Sequence, residues 1–276
     1  MPTTALQWLP VASLARTRLS IFICIRHTHT HTHAALFKPD GVLSQFVYNN
    51  KTTPLGRHQK LLGALPSTAA LTSSSSSSSC DGNPCMPIGR LDQDSEGLLL
   101  LSTDGRLSYY LSKAKQVEKE YYVQVEGAIA TDTLHRLAAG HVGISLGRGK
   151  VHMTQPCRVE RLPDVEPLLP PRSRPVHSLI RKKLDGSIVL TPTSWLSITL
   201  VEGKNRQVRK MTAAVGHPTL RLVRVRVGDV SLGDLLPGEL RVWEPDRTLL
   251  DKAHAFCDER NRERSALIFG EMGGKV

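Results

Sequence analysis

Hydrophobic and polar residues alternate along several segments of the chain, and this alternation predicts a sheet. In residues 119–127, Tyr121, Val123 and Val125 fall on one face of a strand and their neighbours, Tyr122 included, on the other. Residues 196–200, LSITL, predict a second strand. The core is therefore expected to be built mainly from half-buried strands.

A helical period interrupts this alternation after residue 204. Asn205 is a plausible N-cap and Gly216 a stop signal, and four residues between them share one helix face: Val208, Met211, Thr212 and Val215. Residues 220–227 then alternate again, with a slip of one position at Leu222–Val223 that suggests a bulge or a strand that crosses from one sheet partner to another. Because strands outnumber the short helices, the fold class is α+β with a mixed, largely antiparallel sheet.

Length and charge set the scale of the protein and the class of its partner. The 276 residues can bury one core, or one core and a small satellite. The formal net charge of +11 favours a polyanionic partner, since phosphate contacts dominate nucleic-acid affinity. Aromatic residues make up only 5% of the chain, too few for binding mainly by stacking. We therefore expect recognition through phosphates and one flipped base.

The basic residues are concentrated in one part of the chain. No acidic residue lies between Glu202 and Asp229, whereas seven basic residues do: Lys204, Arg206, Arg209, Lys210, Arg221, Arg224 and Arg226. Such a charge run is in most proteins a solvated surface. This one overlaps the segment EGKNRQVRKM, residues 202–211, which favours a surface that faces RNA.

Cysteine usage and hydropathy exclude several classes of protein. The cysteines are odd in number and scattered: Cys24, Cys80, Cys85, Cys157 and Cys257. This argues against a disulfide framework and fits a reducing compartment. No second pair at metal-ligand spacing accompanies the two in residues 80–85, so no metal site is predicted. The apolar run 19–25 is too short to span a membrane.

The first 33 residues differ in composition from the rest. The first acidic residue is Asp40, and Arg16, Arg18 and Arg26 precede it among hydroxylated residues, which is typical of organelle transit peptides. Residues 27–33 alternate His and Thr, as a translated CA dinucleotide repeat would, so simple-sequence DNA in the coding sequence is the alternative. We expect a dispensable leader that directs the protein to a plastid or mitochondrion, with the cytoplasm as the other possibility.

Low-complexity sequence marks two further boundaries. The serines of residues 73–79 have no apolar face to bury, so a disordered insertion is predicted near residues 67–85. Patterned sequence continues to Trp243, and residues 244–276 show no recognised pattern. The expected organisation is a leader over residues 1–33, a main domain over residues 34–243 and a C-terminal tail.

The segment GRLDQDSEGLLLLSTDG, residues 89–105, carries the main candidate for chemistry. Asp92 follows an arginine and precedes four leucines, an arrangement that gives one reactive carboxylate in a water-poor site. A calcium loop is excluded, because Thr103 stands where the closing bidentate glutamate would be and leucines fill ligand positions. A turn-forming or helix-capping aspartate is the simpler alternative.

Three segments of the chain occur in an order known from one enzyme family. Residues 89–105, KEYYVQVEG at 119–127 and EGKNRQVRKM at 202–211 resemble the motifs of pseudouridine synthases, in the RsuA/Rlu-type branch that modifies ribosomal RNA. Residues 191–241 are similar to the large-subunit type E enzymes of that branch, which lack an S4 RNA-binding domain. The resemblance covers about residues 34–243 and implies the pseudouridine synthase fold.

The resemblance assigns roles by position. Asp92 is the catalytic aspartate, and Arg209 is the arginine that pairs with it, although Arg206 competes for that role. Tyr121 stacks on the uracil and can assist loss of the C5 proton; an ordinary core aromatic is the alternative. Residues expected to bind RNA or substrate are Arg90, Lys119, Lys204, Asn205, Arg206, Gln207, Leu222 and Arg224. Within that set, Arg90 helps to extrude the target nucleotide and Leu222 forms an apolar wall opposite Tyr121.

The implied activity is isomerisation of a specific uridine, in large-subunit ribosomal RNA or a precursor. We expect a monomer that uses no metal or cofactor and does not bind membranes. The alternative is an inactive RNA-binding or ribosome-assembly protein, against which the retention of Asp92, Tyr121 and Arg209 argues. A glycosidase-like hydrolase of nucleosides would need a second acid to position water, for which Asp94 and Glu96 are the local candidates.

Overall fold

The computed structural model of the chain describes residues 31–46, 60–72, 85–163, 169–171, 180–182 and 188–272. The strands within these ranges are β1 His33–Lys38, β2 Val42–Leu43, β3 Lys60–Leu61, β4 Met86–Pro87, β5 Glu96–Ser102, β6 Lys119–Glu126, β7 Gly143–Gly147, β8 Lys150–Met153, β9 Arg158–Leu162, β10 Ile180–Lys182, β11 Ile188–Leu190, β12 Thr193–Leu200, β13 Thr219–Val227, β14 Val230–Ser231 and β15 Leu240–Val242. The α-helices are α1 Ala69–Thr72, α2 Gly105–Lys113, α3 Thr131–Ala139, α4 Gln207–Ala214 and α5 Arg247–Met272.

One mixed sheet organises the described residues. Its strand order is β15-β1-β5-β13-β6-β12-β9, with β14 paired to β13 and β4 paired to β5. The pairing of β5 with β13 is parallel, and the other pairings of this sheet are antiparallel. The helices α1 to α4 are short. The α+β class with a mixed, largely antiparallel sheet is thus confirmed.

The sheet is covered on both faces, and neighbouring residues of β6 show the division. Tyr121 packs against two apolar clusters on one face, whereas Tyr122 packs against a third cluster on the other face. Helices α2 and α5 contribute to the cluster of Tyr122, and α3 and α4 to one of those of Tyr121. The alternation predicted for residues 119–127 is therefore confirmed.

Strand β5 contains the four leucines of residues 89–105 and is buried along its whole length. A strand in the middle of a sheet with both faces covered can be apolar throughout, without alternation. Gly97 has φ +100°, and its backbone lies close to that of Arg224 on β13. A Cβ at Gly97 would lie 2.3 Å from the carbonyl oxygen of Arg224. Since only glycine fits this position, Gly97 makes the parallel pairing possible.

Strand β13 has irregularities, but not where the sequence predicts them. Its register against β6 shifts at Leu220 and again at Val225, whereas Leu222 and Val223 pair regularly. The predicted slip at Leu222–Val223 is therefore wrong in position. Both faces of the sheet are buried at this point, so two adjacent apolar residues can occur there without a slip.

The C-terminal residues, which show no pattern in the sequence, form the long helix α5. Leu250, Ala253 and Phe256 pack onto the cluster to which α2 contributes. The rings of Phe256 and Tyr110 meet edge to face, with centroids 5.6 Å apart. At 26 residues, α5 is the exception to the prediction of short helices. Its first half belongs to the core of the main domain.

The N-terminal residues that precede the predicted main domain contact it. Strand β1 begins at His33, whose Nδ1 lies 2.9 Å from Oγ of Ser102. The Thr103 nitrogen donates a 3.0 Å hydrogen bond to the carbonyl oxygen of Thr32, and the Thr32 nitrogen donates one of 2.9 Å to Oγ1 of Thr103. Residues 31–33 thus contact the main domain, although the sequence assigns them to the leader. Residues 1–30 lie outside the described ranges.

The start of the predicted disordered insertion is ordered. Residues Pro66–Thr68 form a 3-10 helix that leads into α1, and Thr68 is fully buried. The Thr68 hydroxyl hydrogen-bonds to the carbonyl oxygens of Leu62 and Leu65. Residues 67–72, which the prediction includes in the insertion, are therefore helical with a buried, hydrogen-bonded threonine, and the serines of 73–79 lie outside the described residues. Among the helices that are described, none is both long and apolar enough to cross a bilayer.

Candidate active site

Asp92 lies in the loop between β4 and β5, and this loop is fastened to the turn after β1. Ser44 accepts a 3.0 Å hydrogen bond from the Leu91 nitrogen and donates one of 2.7 Å to the Leu91 carbonyl oxygen. The Gly41 nitrogen donates to the carbonyl oxygen of Gln93 at 2.8 Å. These bonds fix the backbone on both sides of Asp92, whose side chain remains 32% exposed.

Arg206 is the cation paired with Asp92. Its Nη1 lies 3.6 Å from Oδ2 of Asp92, and its guanidinium donates two hydrogen bonds of 2.8 Å to the carboxylate of Asp94. Arg206 has a left-handed backbone, with φ +52°, immediately before α4. It occupies the N-cap position predicted for Asn205. One guanidinium thus contacts both acids, and the bidentate bond to Asp94 orients it.

Arg209 contacts Asp94 rather than Asp92. From helix α4, Nη2 of Arg209 donates a 2.6 Å hydrogen bond to the carbonyl oxygen of Asp94, and Nε lies 3.4 Å from Oδ2 of Asp94. Burial lowers the pKa of Arg209 despite the opposing charge of Asp94. In this structure the pairing of Arg209 with Asp92 is therefore wrong. Because the loop carbonyl and Asp94 hold the guanidinium of Arg209, Arg206 makes that contact.

Asp94 is a residue whose importance the sequence reasoning missed. Burial opposes the ionisation of Asp94, but the hydrogen bonds from Arg206 and the charges of Arg209 and Arg206 outweigh it and hold its pKa below the usual value. The signal was present, since Asp94 follows Asp92 by two residues in the same motif. Its ion pairs join the β4–β5 loop to α4.

Tyr121 lies where two apolar clusters meet. One cluster contains Leu91, which precedes Asp92, and the other contains Leu222. Tyr121 is itself only half-buried, so part of its surface is accessible. The structure thus brings Tyr121 beside the loop of Asp92 and onto the same face of the sheet as Leu222. Arg90, on the same loop, is exposed.

A row of paired residues crosses the sheet from Lys38 to Tyr121. Lys38 pairs with Gly97, Gly97 with Arg224, and Arg224 with Tyr121, so all four share one face. Lys38 is fully buried, and this burial lowers its pKa to about 8. Its Nζ lies 3.4 Å from the carbonyl oxygen of Gln93, to which it donates a hydrogen bond. This buried cation therefore supports the β4–β5 loop.

Arg224, predicted to bind RNA, is buried instead. It is 4% exposed, and its Nε donates a 2.8 Å hydrogen bond to the carbonyl oxygen of Leu98. Arg224 is therefore not an exposed cation, but its Nη2 has no hydrogen-bond partner among the described residues, and its role in binding RNA or substrate stays a prediction. Lys119 is half-buried on the same face; burial and the charge of Arg224 lower its pKa to about 8. Part of Lys119 remains accessible.

The other arginines of β13 also serve the fold. Arg221 donates hydrogen bonds of 2.9 and 3.0 Å to the carboxylate of Glu96, and both side chains are buried. Arg226 lies 2.9 Å from Glu118 and 2.9 Å from Glu120. These cations neutralise acids of neighbouring elements. An RNA-facing surface along the whole acid-free segment is therefore wrong for β13.

The exposed part of that segment is the loop of Lys204, Asn205 and Arg206. Gln207 supports this loop and is only 4% exposed. Its Oε1 accepts a 2.8 Å hydrogen bond from the Lys204 nitrogen, and its Nε2 donates one of 2.5 Å to Glu202. Both polar ends of Gln207 are thus occupied in this structure, and its predicted role in binding RNA stays a prediction.

Glu202, also missed by the sequence reasoning, connects this loop to β8. Its carboxylate accepts hydrogen bonds from Gln207 and from the Gln155 nitrogen, and lies 2.8 Å from Nε2 of His152. Burial opposes the ionisation of Glu202, but these hydrogen bonds outweigh it and lower its pKa. Within the described ranges, no group of three or more His, Cys, Asp or Glu residues could hold a metal ion.

Comparison with known proteins identifies the family of the chain. The profile of the family described as RNA pseudouridylate synthase matches residues 33–214. The chain is 42% identical over 208 residues to "Ribosomal large subunit pseudouridine synthase E" of Xanthomonas campestris pv. campestris, a match that covers 75% of this chain and 92% of the relative. A protein of the same name from Vibrio parahaemolyticus is 45% identical over 152 residues, 55% of this chain and 57% of the relative.

A solved structure shows the same fold. A crystal structure described as a pseudouridylate synthase superposes with a TM-score of 0.53 at 22% identity and covers 81% of this chain and 74% of that one. The sequence profile and the relatives agree on one family, and the solved structure shows its fold. The chain belongs to the RNA pseudouridylate synthase family.

Proposed function

We propose that this chain converts a specific uridine of large-subunit ribosomal RNA, or of its precursor, to pseudouridine. The names of the relatives support the class of RNA. The observation that carries the proposal for this chain is the placement of Asp92. Its carboxylate is partly exposed, paired at 3.6 Å with Arg206, and its loop packs beside Tyr121.

The reaction breaks the N1–C1′ bond of uridine, turns the uracil and joins C5 to C1′; C5 then loses its proton and N1 gains one, so that the product is an isomer. The leaving ring carries negative charge, and C1′ gains positive character, as in glycoside cleavage. An ionised carboxylate can add to an electron-poor carbon or remove a proton from the sugar. The Arg206 guanidinium, 3.6 Å from this carboxylate, supplies a positive charge beside it. The proposal assigns each of these steps to side chains of the protein, without a metal or organic cofactor.

The surrounding residues then have distinct roles. We propose that Tyr121 stacks on the uracil, with Leu222 as part of the apolar wall behind it, since both belong to the same apolar surroundings. Arg90 is exposed on the loop of Asp92 and is placed to help extrude the nucleotide. Lys204 and Asn205, exposed before α4, are the remaining candidates for contacts to RNA.

A direct experiment is to map pseudouridines in large- and small-subunit ribosomal RNA from cells with and without the protein. We expect one or a few positions in large-subunit RNA to lose the modification. Purified protein should restore those positions in an unmodified transcript, and Asp92→Asn protein should not. Unchanged maps together with an inactive purified protein would contradict the proposal, and loss confined to small-subunit RNA would correct the substrate.

We propose a plastid or a mitochondrion as the place of action, with residues 1–30 as the address. The absence of acidic residues before Asp40 supports this proposal. Fusion of residues 1–33 to a fluorescent reporter should direct it to one of these organelles. Diffuse fluorescence would contradict the proposal and favour a cytoplasmic enzyme with simple-sequence DNA at its start. We also propose that the enzyme acts as a monomer, which sedimentation analysis tests.

A further inference from the structure

The arginines of β13 are buried or paired with acids, so the phosphates of the RNA need other cations of the protein. A second acid-free stretch lies between Asp132 and Glu160. It contains Arg136, Arg148 and Lys150, and all three are exposed. Among the described residues, the structure gives neither Arg148 nor Lys150 an acidic partner, so both charges are available to a ligand.

Arg148 and Lys150 lie on a hairpin that projects from the main sheet. Strands β7 and β8 form a two-stranded antiparallel sheet of their own, residues 143–153, which we call the hairpin arm. Ile144 is buried on its inner side. The residues Gly147, Arg148 and Gly149 at the tip all have positive φ, between +51° and +87°, which makes a tight turn and leaves the arginine exposed.

The outer side of the hairpin arm is apolar and open. Val151 is 67% exposed and Met153 is 52% exposed. They stand next to Gly143, at which a Cβ would lie 3.5 Å from Val151 and 3.6 Å from Met153, so the glycine keeps this side flat. A surface with exposed apolar side chains and nearby cations suits a partner that has both charged groups and flat apolar groups. A nucleic-acid strand has both, in its phosphates and its bases.

The hairpin arm is also connected to the catalytic loop. His152 on β8 meets Glu202 at 2.8 Å, and Glu202 accepts a hydrogen bond from Gln207, which holds the nitrogen of Lys204. Arg206, which pairs with Asp92, lies two residues after Lys204. An RNA that contacts both Asp92 and the loop of Lys204 therefore extends toward the hairpin arm.

A cavity at the base of the hairpin arm has matching charge. It measures about 340 Å³ and lies between the ends of α3 and α4 and the start of β7. Arg136 and His141 contribute its polar lining, together with the backbone of Gly140 and Gly143. The charge of Arg136 suits a phosphate group of an RNA strand that lies along the arm.

We propose that the hairpin arm is an RNA-docking surface: Arg148, Lys150 and Arg136 bind backbone phosphates near the target uridine, and Val151 and Met153 pack against ribose and base. The partner is RNA rather than protein because the whole stretch lacks acids and, among the described residues, its cations Arg136, Arg148 and Lys150 have no acidic partners, whereas Arg158 at its end pairs with Glu118. This inference rests on the proposed function in so far as the RNA that docks is the substrate.

The test compares the double variant R148Q/K150Q with the matched double variant K252Q/R262Q. The latter removes two exposed charges from α5, on the opposite side of the sheet. The probe is an in vitro transcript of large-subunit ribosomal RNA, and the measurement is Kd against salt concentration. In R148Q/K150Q we expect the slope of log K against log salt to fall by about two units. KM should rise in parallel, so that the loss falls on KM rather than on kcat. The α5 variant should keep the wild-type slope.

A second variant tests the apolar side without changing charge. V151S/M153S replaces two exposed residues, so folding is not at risk, and thermal unfolding checks this. We expect a several-fold higher Kd at the wild-type salt slope. Wild-type slopes and Kd values in both hairpin variants would overturn the proposal and leave the surface to a protein partner. If the hairpin variants lose affinity but wild-type protein modifies no uridine, the docking surface stands and the proposed function fails.

Discussion

Arg206 and Asp94 form a bidentate pair with two N–O distances of 2.8 Å. Both side chains are about 40% exposed, at 41% and 40%, so solvent screening limits the contribution of this pair to stability to about 0–1 kcal/mol. Its consequence is orientation. The same guanidinium reaches 3.6 Å from Asp92, so Asp94 determines where the positive charge stands beside the reactive carboxylate.

Replacing Asp94 tests this positioning role. In Asp94→Asn, the bidentate pair with Arg206 is lost and the contact with Arg209 is weakened. We expect kcat to fall about 100-fold, because displacements of about 1 Å have effects of that size. The melting temperature should change little. Asp251→Asn, which removes an exposed acid from α5, serves as the matched control. A kcat within twofold of wild type in Asp94→Asn would show that Arg206 needs no such support.

The role of Asp92 itself predicts a separation of chemistry from binding. The amide in Asp92→Asn is close to isosteric with the carboxyl group, but it cannot act as nucleophile or base. We therefore expect isomerisation to be abolished while the Kd for unmodified ribosomal RNA stays within about threefold of wild type. Release of tritium from [5-³H]uridine-labelled RNA measures turnover. Substantial turnover in this variant would refute the assignment of Asp92.

The buried pair of Arg221 and Glu96 predicts a large effect on stability. Arg221→Gln leaves the carboxylate of Glu96 buried without its cation, and breaking such a pair costs about 3–5 kcal/mol in the free energy of unfolding. Arg226→Gln should cost less, because Arg226 and its acidic partners are partly exposed. Urea denaturation at neutral pH compares the two variants. Equal losses would mean that the burial of Arg221 does not decide its contribution.

Lys38 predicts a pH dependence of a definite sign. Its folded-state pKa of about 8 lies below the usual value of 10.5, so burial disfavours the ammonium in the folded state. Below pH 8 both states are charged and this cost is fully present. Between pH 8 and 10.5 the folded protein has released a proton that the unfolded chain still binds, so the free energy of unfolding rises with pH.

The measurement is the stability of wild type relative to Lys38→Met at two pH values. We expect the difference, wild type minus variant, to increase by roughly 1–2 kcal/mol from pH 7.5 to pH 9.5. Since the methionine has no proton to release, the other titrating groups cancel in the comparison. A difference that stays constant or falls would show that Lys38 is not desolvated as the structure indicates.

The sequence predicts those features that a local pattern records. Alternation separates Tyr121 from Tyr122, and the helical period places Val208 and Met211 on the buried face of α4. What it could not predict depends on strand order. Arg224 has the same local pattern as an exposed strand arginine, and only the position of β13 between β5 and β6 buries it.

In the candidate site, too, the sequence predicts some features and not those that depend on contacts between distant segments. The motifs locate Asp92. Which of Arg206 and Arg209 pairs with it depends on the backbone conformation of Arg206. Its left-handed conformation, at φ +52°, directs the guanidinium to the two acids. Asp94 and Glu202 lie within the family motifs. Their roles depend on hydrogen bonds to residues more than 40 positions away in the chain, which no local pattern shows.

The start of β1 predicts how far the N-terminus can be shortened. A chain that begins at Ala34 lacks both hydrogen bonds between Thr32 and Thr103, the bond from the Trp243 nitrogen to His33, and the contact of His33 with Ser102. Each hydrogen bond contributes about 0.5–1.5 kcal/mol, and some are partly exposed, so we expect a loss of about 2–3 kcal/mol. A chain that begins at Thr30, with an added start methionine, keeps all four contacts. Thermal unfolding should therefore place the shorter chain about 5–10 °C below the longer one, while both modify RNA at low temperature. Equal melting temperatures would mean that β1 is complete from Ala34 and that the whole of residues 1–33 is dispensable.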